Sequence, residues 1–351
     1  MTSAAAASPR ARSTTIEPTI TIAIPVYNRE HLVKKALESA LRQPERDLEV
    51  LVVDNASTDG TWEVLSSFPD PRLRLVRNDR NLGLFGNFNR CIFLARGRYV
   101  VTLCSDDMLL DGFLAPARRL LDTHPEVGLV SSRGRGLNER RGTTSALGSN
   151  LPAGIYAKRD AIAATLWALA TYYVNPFNYP SGILMRAGLA RESGGMDESL
   201  GFAADVKLYL KMLETSSLAI LDVLGCEVLM HSQQEGEKIF DDLSHIREYA
   251  DHFTRYASLL EQSGLGRYAR AHVGGFLLGS YAKLRRMGRH GVADDCMALF
   301  RERRQALAPA LRGLMDSLRR RGALRRTGRL TSPVPVAPLP AIAHLATLGR
   351  A

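Results

Sequence analysis

Cysteine is scarce in this sequence, and the four cysteines are far apart. No C-x-x-C pair occurs, and no histidine lies at the spacing that a zinc site needs. We therefore expect neither a disulfide framework nor a zinc module, which fits a reducing cytoplasm. The cysteines are Cys91, Cys104, Cys226 and Cys296.

Long apolar runs are also missing. A helix that spans a bilayer needs about 18 or more apolar residues, and no run in this sequence approaches that length. Residues 1–15 contain a short alanine run followed by Ser-Pro-Arg, which is too short an apolar stretch for an export signal. We predict a cytoplasmic protein without a transmembrane segment, and we interpret residues 1–17 as a disordered leader.

Basic residues outnumber acidic ones, and the formal net charge is +10. The excess lies late in the chain, in residues 318–321 and 325–326. A solvated helix face and tail would account for this basic excess. Peripheral contact of the protein with the inner face of an anionic membrane is the alternative. The aromatic residues that would stack on nucleic acid bases are missing there, so we expect no nucleic acid partner.

Short β-rich runs alternate with helical stretches from residue 19 to residue 131. This alternation is typical of an α/β fold with a parallel sheet covered by helices. The predicted strands are Thr19–Val26, Leu48–Asp54, Leu73–Arg77, Tyr99–Cys104 and Val127–Ser131. The predicted helices lie near residues 29–42, 60–67, 86–96 and 112–123.

The rest of the chain is less regular. Residues 132–153 are polar and glycine-rich, which predicts a mobile surface loop that could act as a lid. A second group of strands and helices spans about 181–231, and helical periodicity continues to about residue 325. We divide the chain into a leader (1–17), an α/β domain (18–235), a helical region (236–328) and a proline-rich tail (329–351).

In an open parallel sheet, ligands bind beyond the carboxyl ends of the strands. Tyr27 and Asn28 follow the first strand, where a ring and an amide could hold a nucleobase, although packing of Tyr27 is the alternative. Asp54 ends the second strand and could accept a hydrogen bond from a base, although an Asp-Asn turn with Asn55 is equally consistent. The loop after the third strand contains Asn81 and could contact a nucleotide, although an ordinary polar loop explains the sequence equally well.

Asp106 and Asp107 directly follow the fourth apolar run. Two adjacent carboxylates repel each other and need a compensating partner, which a divalent cation provides. Mg²⁺ or Mn²⁺ held by such a pair would neutralise charge on a departing diphosphate. The alternative is an acid pair at a helix N-terminus, favoured by the helix dipole.

Together, these motifs resemble the family 2 glycosyltransferases with the GT-A fold. The similar segments are Pro25–Asn28, Asp54–Thr61, Asn81-x-Gly83 and Ser105–Asp107, and the resemblance covers about residues 19–231. It implies the GT-A type fold of nucleotide-diphospho-sugar transferases, a mostly parallel sheet flanked by helices, here with a C-terminal helical region. It assigns to the donor nucleotide Pro25, Tyr27, Asn28, Asp54, Asn81 and Asp106.

The resemblance also implies roles around the reacting atoms. Cys104 stands where many members have a first aspartate, so Asp106 would face the ribose and diphosphate, and Asp107 the metal. His231 resembles a family histidine that completes the metal or diphosphate site, with a structural histidine as the alternative. Asp205 resembles the family's general base, with an ordinary first-turn acid as the alternative.

The activity implied is a single, inverting transfer of a hexose-like sugar from a nucleotide-diphosphate donor, usually UDP-linked, to an acceptor hydroxyl. The acceptor would be a glycan, a lipid-linked precursor or a small molecule, in cell-surface glycan or glycosylated metabolite biosynthesis. The Q-x-x-R-W motif of processive members is not found. A catalytically silent sugar-nucleotide or glycan-binding protein is the alternative, because Cys104 and Ala204 replace acids common in the family.

Overall fold

The computed structural model describes residues 18–140, 142–148, 151–172, 175, 177–231, 243–303 and 307–327. The predicted leader and the proline-rich tail lie outside these residues.

The sheet strands are β1 (Ile20–Val26), β2 (Leu48–Asp54), β3 (Leu73–Arg77), β4 (Tyr99–Thr102), β5 (Met108–Leu109), β6 (Val127–Asn138), β7 (Thr143–Gly148), β8 (Gly154–Tyr156), β9 (Ile183–Arg186) and β10 (Ser217–Met230). The helices among them are α1 (Val33–Leu41), α2 (Thr61–Ser66), α3 (Leu84–Leu94), α4 (Leu114–Thr123), α5 (Lys158–Tyr172), α6 (Ala187–Glu192) and α7 (Ala204–Leu213). The C-terminal helices are α8 (Ser244–Arg255), α9 (Ala257–Gln262), α10 (Gly266–Arg286), α11 (His290–Glu302) and α12 (Leu307–Thr327).

The strands form one mixed sheet in the order β3-β2-β1-β4-β9-β6-β10-β5. The first four strands in this order are parallel. β9 runs antiparallel between β4 and β6, while β6 and β10 are parallel to each other. The predicted α/β fold is therefore confirmed, with antiparallel strands added in its second half.

The central strands are buried on both faces, which explains their nearly continuous apolar sequences. Every residue of β1 and β2 is buried. Ile22 and Ile24 pack on one side with Leu37 of α1, whereas Ala23 packs on the other side with Ile92 of α3. This alternation of side chains is the two-residue period of a strand with a helical layer on each face.

The prediction of an irregular loop at residues 132–153 is wrong for most of that stretch. Strand β6 continues to Asn138 and pairs with β10 beyond the predicted end of the strand at Ser131. Strand β7 then returns antiparallel to it, and β8 pairs with β10.

The reason lies in the alternation of arginine and glycine along β6. Arg135 lies across from Glu227 of β10, with 2.6 Å between Nε and Oε2. A side chain at Gly134 or Gly136 would instead crowd neighbouring side chains, in the first case that of Asn178. A strand stabilised by ion pairs and close packing shows no apolar periodicity in its sequence.

The C-terminal helices share the larger hydrophobic core with the sheet domain. Helices α10 and α12 approach so closely that a Cβ atom at Gly313 would overlap the carbonyl oxygen of Ala271. Within the part of the chain that the structure describes, no helix is long and apolar enough to cross a membrane.

Candidate active site

A network of asparagine side chains organises the carboxyl edge of the sheet. The Nδ2 of Asn55 donates to Oδ1 of Asn81 at 2.8 Å and to the carbonyl oxygen of Gly83 at 3.1 Å. Its Oδ1 accepts from Nδ2 of Asn78 and from the backbone N–H of Leu82, both at 2.9 Å. Asn55 therefore holds the loop after β3 against the end of β2.

The network extends to the first turns of α3. Asn78 also donates to Oδ1 of Asn87 at 3.0 Å, and Asn87 donates to the carbonyl oxygen of Val53 at 3.0 Å. The predicted nucleotide ligand Asn81 uses its Oδ1 inside this network. Sequence reasoning considered Asn55 only as part of an Asp-Asn turn and assigned no role to Asn87, which lies in α3.

The loops after β1 and β2 are tied together. Asn28 adopts a left-handed backbone with φ of 51°. Its N–H donates to Oγ of Ser57 at 2.9 Å, and its Oδ1 accepts from the N–H of Thr58 at 2.8 Å. Tyr27 is 41% exposed beside this junction, whereas Pro25 is buried within β1. Tyr27 is thus presented to solvent on a constrained turn, as a stacking surface requires.

Asp54 is buried at the end of β2. Its Oδ1 accepts from the N–H of Ser57 at 3.2 Å, and its Oδ2 lies 3.0 Å from Nε of Arg77. The half-exposed guanidinium of Arg77 also lies over the ring of Trp62, 5.3 Å from its centroid. Sequence reasoning did not anticipate the pairing of Asp54 with Arg77.

Asp106 and Asp107 lie in the turn between β4 and β5. Asp107 is 2% exposed, and its Oδ2 accepts from the hydroxyl of Ser181 at 2.5 Å. The Oγ of Ser181 in turn accepts from the N–H of Cys104 at 3.1 Å. Burial, and next the negative charge of Asp106, raise the pKa of Asp107. Ser181, which sequence reasoning missed, therefore orients this carboxylate.

These two carboxylates suit a hard divalent cation. Ligand atoms of Cys104, Asp106 and Asp107 lie within 4.8 Å of one another. In the described chain, no lysine or arginine forms an ion pair with either carboxylate. Burial raises the pKa of the Cys104 thiol well above its ordinary value, and a neutral thiol is a poor ligand for Mg²⁺ or Mn²⁺. The oxygen donors of the aspartates therefore fit the predicted metal best.

His231 lies at the end of β10 and is buried. Its Nε2 is 3.0 Å from Oδ2 of Asp106. The structure thus brings His231 to the acidic turn through Asp106.

Asp205 lies in the first turn of α7, with Nδ2 of Asn175 3.4 Å from its Oδ2. Burial raises the pKa of Asp205 to about 6, against the lowering effect of backbone hydrogen bonds at Val206 and at Asp205 itself. After burial, the charges of Asp107, then of Cys104 and Asp205, raise the pKa of Tyr179.

Glu248 of α8 holds the segment that leads into α7. Glu248 is 8% exposed. It accepts backbone N–H groups of Gly201 at 2.8 Å, Phe202 at 3.2 Å and Ala203 at 2.6 Å. These donors directly precede the helix that carries Asp205, and the charge of Glu248 contributes to its raised pKa.

Sequence reasoning missed Glu248 entirely. The available signal was an acid on the buried face of an amphipathic helix, where it lies beside Tyr249 and one turn from His245 and His252. A buried acid needs hydrogen-bond donors, and here backbone groups provide them.

Comparisons with known proteins agree with this architecture. The sequence profile described as glycosyl transferase family 2 matches residues 21–193. Among solved structures, Staphylococcus aureus TarS 1–349 in complex with UDP-GlcNAc superposes with a TM-score of 0.59 at 18% identity, covering 89% of this chain and 92% of that chain. At this identity the likeness shows the fold alone.

Sequence relatives cover less of the chain. An uncharacterised protein of Mycobacterium tuberculosis is 26% identical over 211 residues, 58% of this chain and 65% of that protein. The succinoglycan biosynthesis protein ExoO of Rhizobium meliloti is 43% identical over 90 residues, 26% of each chain. The Escherichia coli UDP-Glc:alpha-D-GlcNAc-diphosphoundecaprenol beta-1,3-glucosyltransferase WfaP is 34% identical over 88 residues, 25% of this chain and 35% of that protein.

The chain thus spans less than two thirds of the length of each of these relatives. Asp205 and His231 lie beyond the segment that matches the family profile, so their assignment depends on the structure and on motif resemblance. The profile match and the shared GT-A architecture agree, and residues 21–193 of the chain form a domain of glycosyl transferase family 2.

Proposed function

We propose that this chain transfers one sugar from a nucleotide-diphosphate donor, a UDP-sugar in the first instance, to an acceptor hydroxyl with inversion. The observation that carries the proposal is the acidic turn after β4. Ligand atoms of Cys104, Asp106 and Asp107 lie there within 4.8 Å of one another, and Nε2 of His231 lies 3.0 Å from Oδ2 of Asp106.

Asp205 is suited to the role of general base. A carboxylate whose pKa is raised to about 6 by burial is ionised at neutral pH and is a stronger base than an exposed aspartate. Asp205 takes the proton of the acceptor hydroxyl as the oxygen bonds to the anomeric carbon. The bond from that carbon to the diphosphate breaks, and its electron pair leaves with the diphosphate. Attack opposite the leaving group inverts the anomeric configuration.

The acidic turn is suited to the diphosphate. Mn²⁺ or Mg²⁺ held by Asp107 and Asp106, with His231 beside Asp106, would neutralise negative charge on the leaving group. Ser181 fixes the orientation of the Asp107 carboxylate through the 2.5 Å hydrogen bond.

Tyr27, Asn28, Asp54 and Asn81 are proposed to form the nucleotide end of the site. Exposed Tyr27 would stack on the base. Two structural neighbours support a nucleotide-diphospho-sugar: TarS was solved with UDP-GlcNAc, and the mannosyltransferase PcManGT of Pyrobaculum calidifontis with GDP-Man and Mn²⁺.

The acceptor is proposed from the names of relatives. One is a succinoglycan biosynthesis protein, and another is named for a diphosphoundecaprenol-linked acceptor. We favour a growing surface glycan on a lipid carrier over a small molecule, which would require the enzyme to work at the cytoplasmic face of a membrane.

The test combines donor binding with turnover. Titration calorimetry of nucleotide diphosphates and their sugars, with and without Mn²⁺, should show metal-dependent binding of one carrier, lost in Asp107→Ala. Asp205→Asn should keep that binding but lose turnover by about 10² to 10⁴-fold. Asp160→Asn is the matched control, because Asp160 is a first-turn acid of α5.

Each outcome has a distinct meaning. Normal turnover in Asp205→Asn would refute its role as the base. If the wild type binds a donor but turns over no glycan or lipid-linked acceptor, the silent binding protein is favoured. The presence of Cys104 and Ala204, where acids are common in the family, would agree with that result.

A further inference from the structure

Helix α12 carries three large apolar side chains on its outer surface. Leu311 is 47% exposed, and Met315 and Leu318 are each 51% exposed. They follow one another at intervals of four and three residues, so they lie along one side of the helix. Single exposed apolar residues are ordinary on protein surfaces, whereas an aligned group on one helix indicates a contact surface.

The charge of this helix is almost entirely positive. It contains six arginines and one acid, Asp316, and thus half of the formal net charge of the chain. Asp316 faces α10, where its Oδ2 lies 3.3 Å from Nε2 of His272, and it also accepts from Nε of Arg320 at 2.7 Å. Arg312 and Arg319 are exposed alongside the apolar residues.

The opposite side of α12 is anchored in the fold. Gly313 and Ser317 are buried, and Oγ of Ser317 lies 2.9 Å from Nδ1 of the buried His272. Because this packing fixes the rotation of the helix, the apolar and arginine side chains form a defined outward face. We call this face, made of Leu311, Arg312, Met315, Leu318 and Arg319, the α12 face.

We propose that the α12 face docks on an anionic lipid bilayer. An apolar stripe beside basic residues is the pattern of helices that lie in the plane of the membrane interface. A second copy of the chain is a poorer occupant, because a two-fold contact would set arginine-rich faces against each other. Anionic headgroups instead complement the arginines while the acyl region receives the apolar side chains.

This surface deepens the proposed function and rests on its lipid-linked acceptor. A glycosyltransferase with such an acceptor must meet it at the bilayer surface. Docking through α12 would hold the enzyme there without a membrane-spanning helix in the described part of the chain.

Vesicle co-sedimentation of the full chain tests the proposal. Vesicles of phosphatidylcholine alone are compared with vesicles that also contain phosphatidylglycerol. Each arginine near an anionic surface contributes about fivefold in binding, so Arg312→Gln with Arg319→Gln should weaken binding to anionic vesicles by about 30-fold. Arg42→Gln with Arg119→Gln changes the net charge equally, at exposed positions on the sheet domain, and should have little effect.

A second variant and its control test the apolar residues of the α12 face. Met315→Gln with Leu318→Gln should weaken vesicle binding by at least tenfold, whereas Leu224→Gln, at a 40% exposed leucine of β10, should not. Donor binding by calorimetry should be unchanged in all these variants, so a failure of docking is distinguishable from a failure of the proposed function.

Absence of wild-type binding to anionic vesicles at low salt would overturn the proposal. Equal losses in the α12 and control charge variants would also overturn it, because the effect would then belong to net charge. A dimer in sedimentation velocity that Met315→Gln with Leu318→Gln dissociates, without vesicle binding, would assign the face to a second copy.

Discussion

Removal of the Glu248 carboxylate should impair catalysis although Glu248 belongs to the helical region and is not itself proposed to touch substrate. Its two oxygens accept three backbone N–H groups in the segment that enters α7. We therefore expect Glu248 to act as a positioning residue for Asp205. The variants are Glu248→Gln, which keeps one acceptor oxygen, and Glu248→Ala, which keeps none.

The hydrogen bonds set the size of the stability effect. A buried donor left without a partner costs about 1 to 3 kcal/mol, and these three donors share one neighbourhood, so their costs are not additive. We expect Glu248→Ala to lower the free energy of unfolding by about 3 kcal/mol and Glu248→Gln by about 1 kcal/mol. Urea unfolding followed by circular dichroism measures both.

The pH profile separates positioning from simple destabilisation. A general base works when deprotonated, so kcat/KM of the wild type should rise with pH through the Asp205 pKa of about 6. The negative charge of Glu248 helps to raise that pKa, so Glu248→Gln should move the acidic limb to lower pH. Because burial is the largest cause, the limb should stay above the range of an ordinary aspartate.

The titratable groups whose pKa values Asp205 affects lie on several elements. Its charge acts on Cys104 after β4, Tyr179 before β9, Tyr209 of α7 and Tyr249 of α8. Burial and neighbouring negative charge raise the pKa of each of these groups, so they remain neutral as Asp205 titrates. A shift of the acidic limb in Glu248→Gln therefore reports a change at Asp205 and not the titration of these neighbours.

The control is Glu302→Gln, an exposed acid of α11 that pairs with Arg247 of α8. It removes the same charge from the helical region without touching the entry to α7. A Glu248→Gln enzyme with lowered stability, unchanged kcat and an unshifted acidic limb would refute the positioning role and leave Glu248 as a structural residue only.

Three further predictions follow from other parts of the structure. Tyr27→Ala should weaken donor binding about tenfold by loss of stacking on the base, and unchanged affinity in calorimetry would remove Tyr27 from the donor site. Asn55→Leu should lower the free energy of unfolding by about 3 kcal/mol and weaken donor binding as well, and wild-type urea stability would contradict the structural role of the asparagine network. Gly313→Ala should lower the melting temperature, since overpacking costs about 1 to 3 kcal/mol, whereas Gly291→Ala, at an open position of α11, should not.

The sequence alone determined the first half of the sheet and the candidate site residues at its carboxyl edge. Strands β1 to β4 are short, apolar and buried, and such a pattern is readable because it depends on neighbours in sequence. The acids Asp54, Asp106 and Asp107 were identified because they follow those runs directly. The family resemblance rested on the same local motifs.

Tertiary structure decided which polar groups meet, and the sequence could not indicate it. Arg77 of β3 pairs with Asp54 of the neighbouring strand β2, Ser181 contacts Asp107 from 74 residues away, and Glu248 of the helical region holds the segment before α7. The extension of β6 was hidden because ion pairs and glycine packing, rather than an apolar pattern, stabilise it. Hydrogen bonds and ion pairs over long sequence separations arise only when the hydrophobic core brings their partners together, so they leave no local pattern to read.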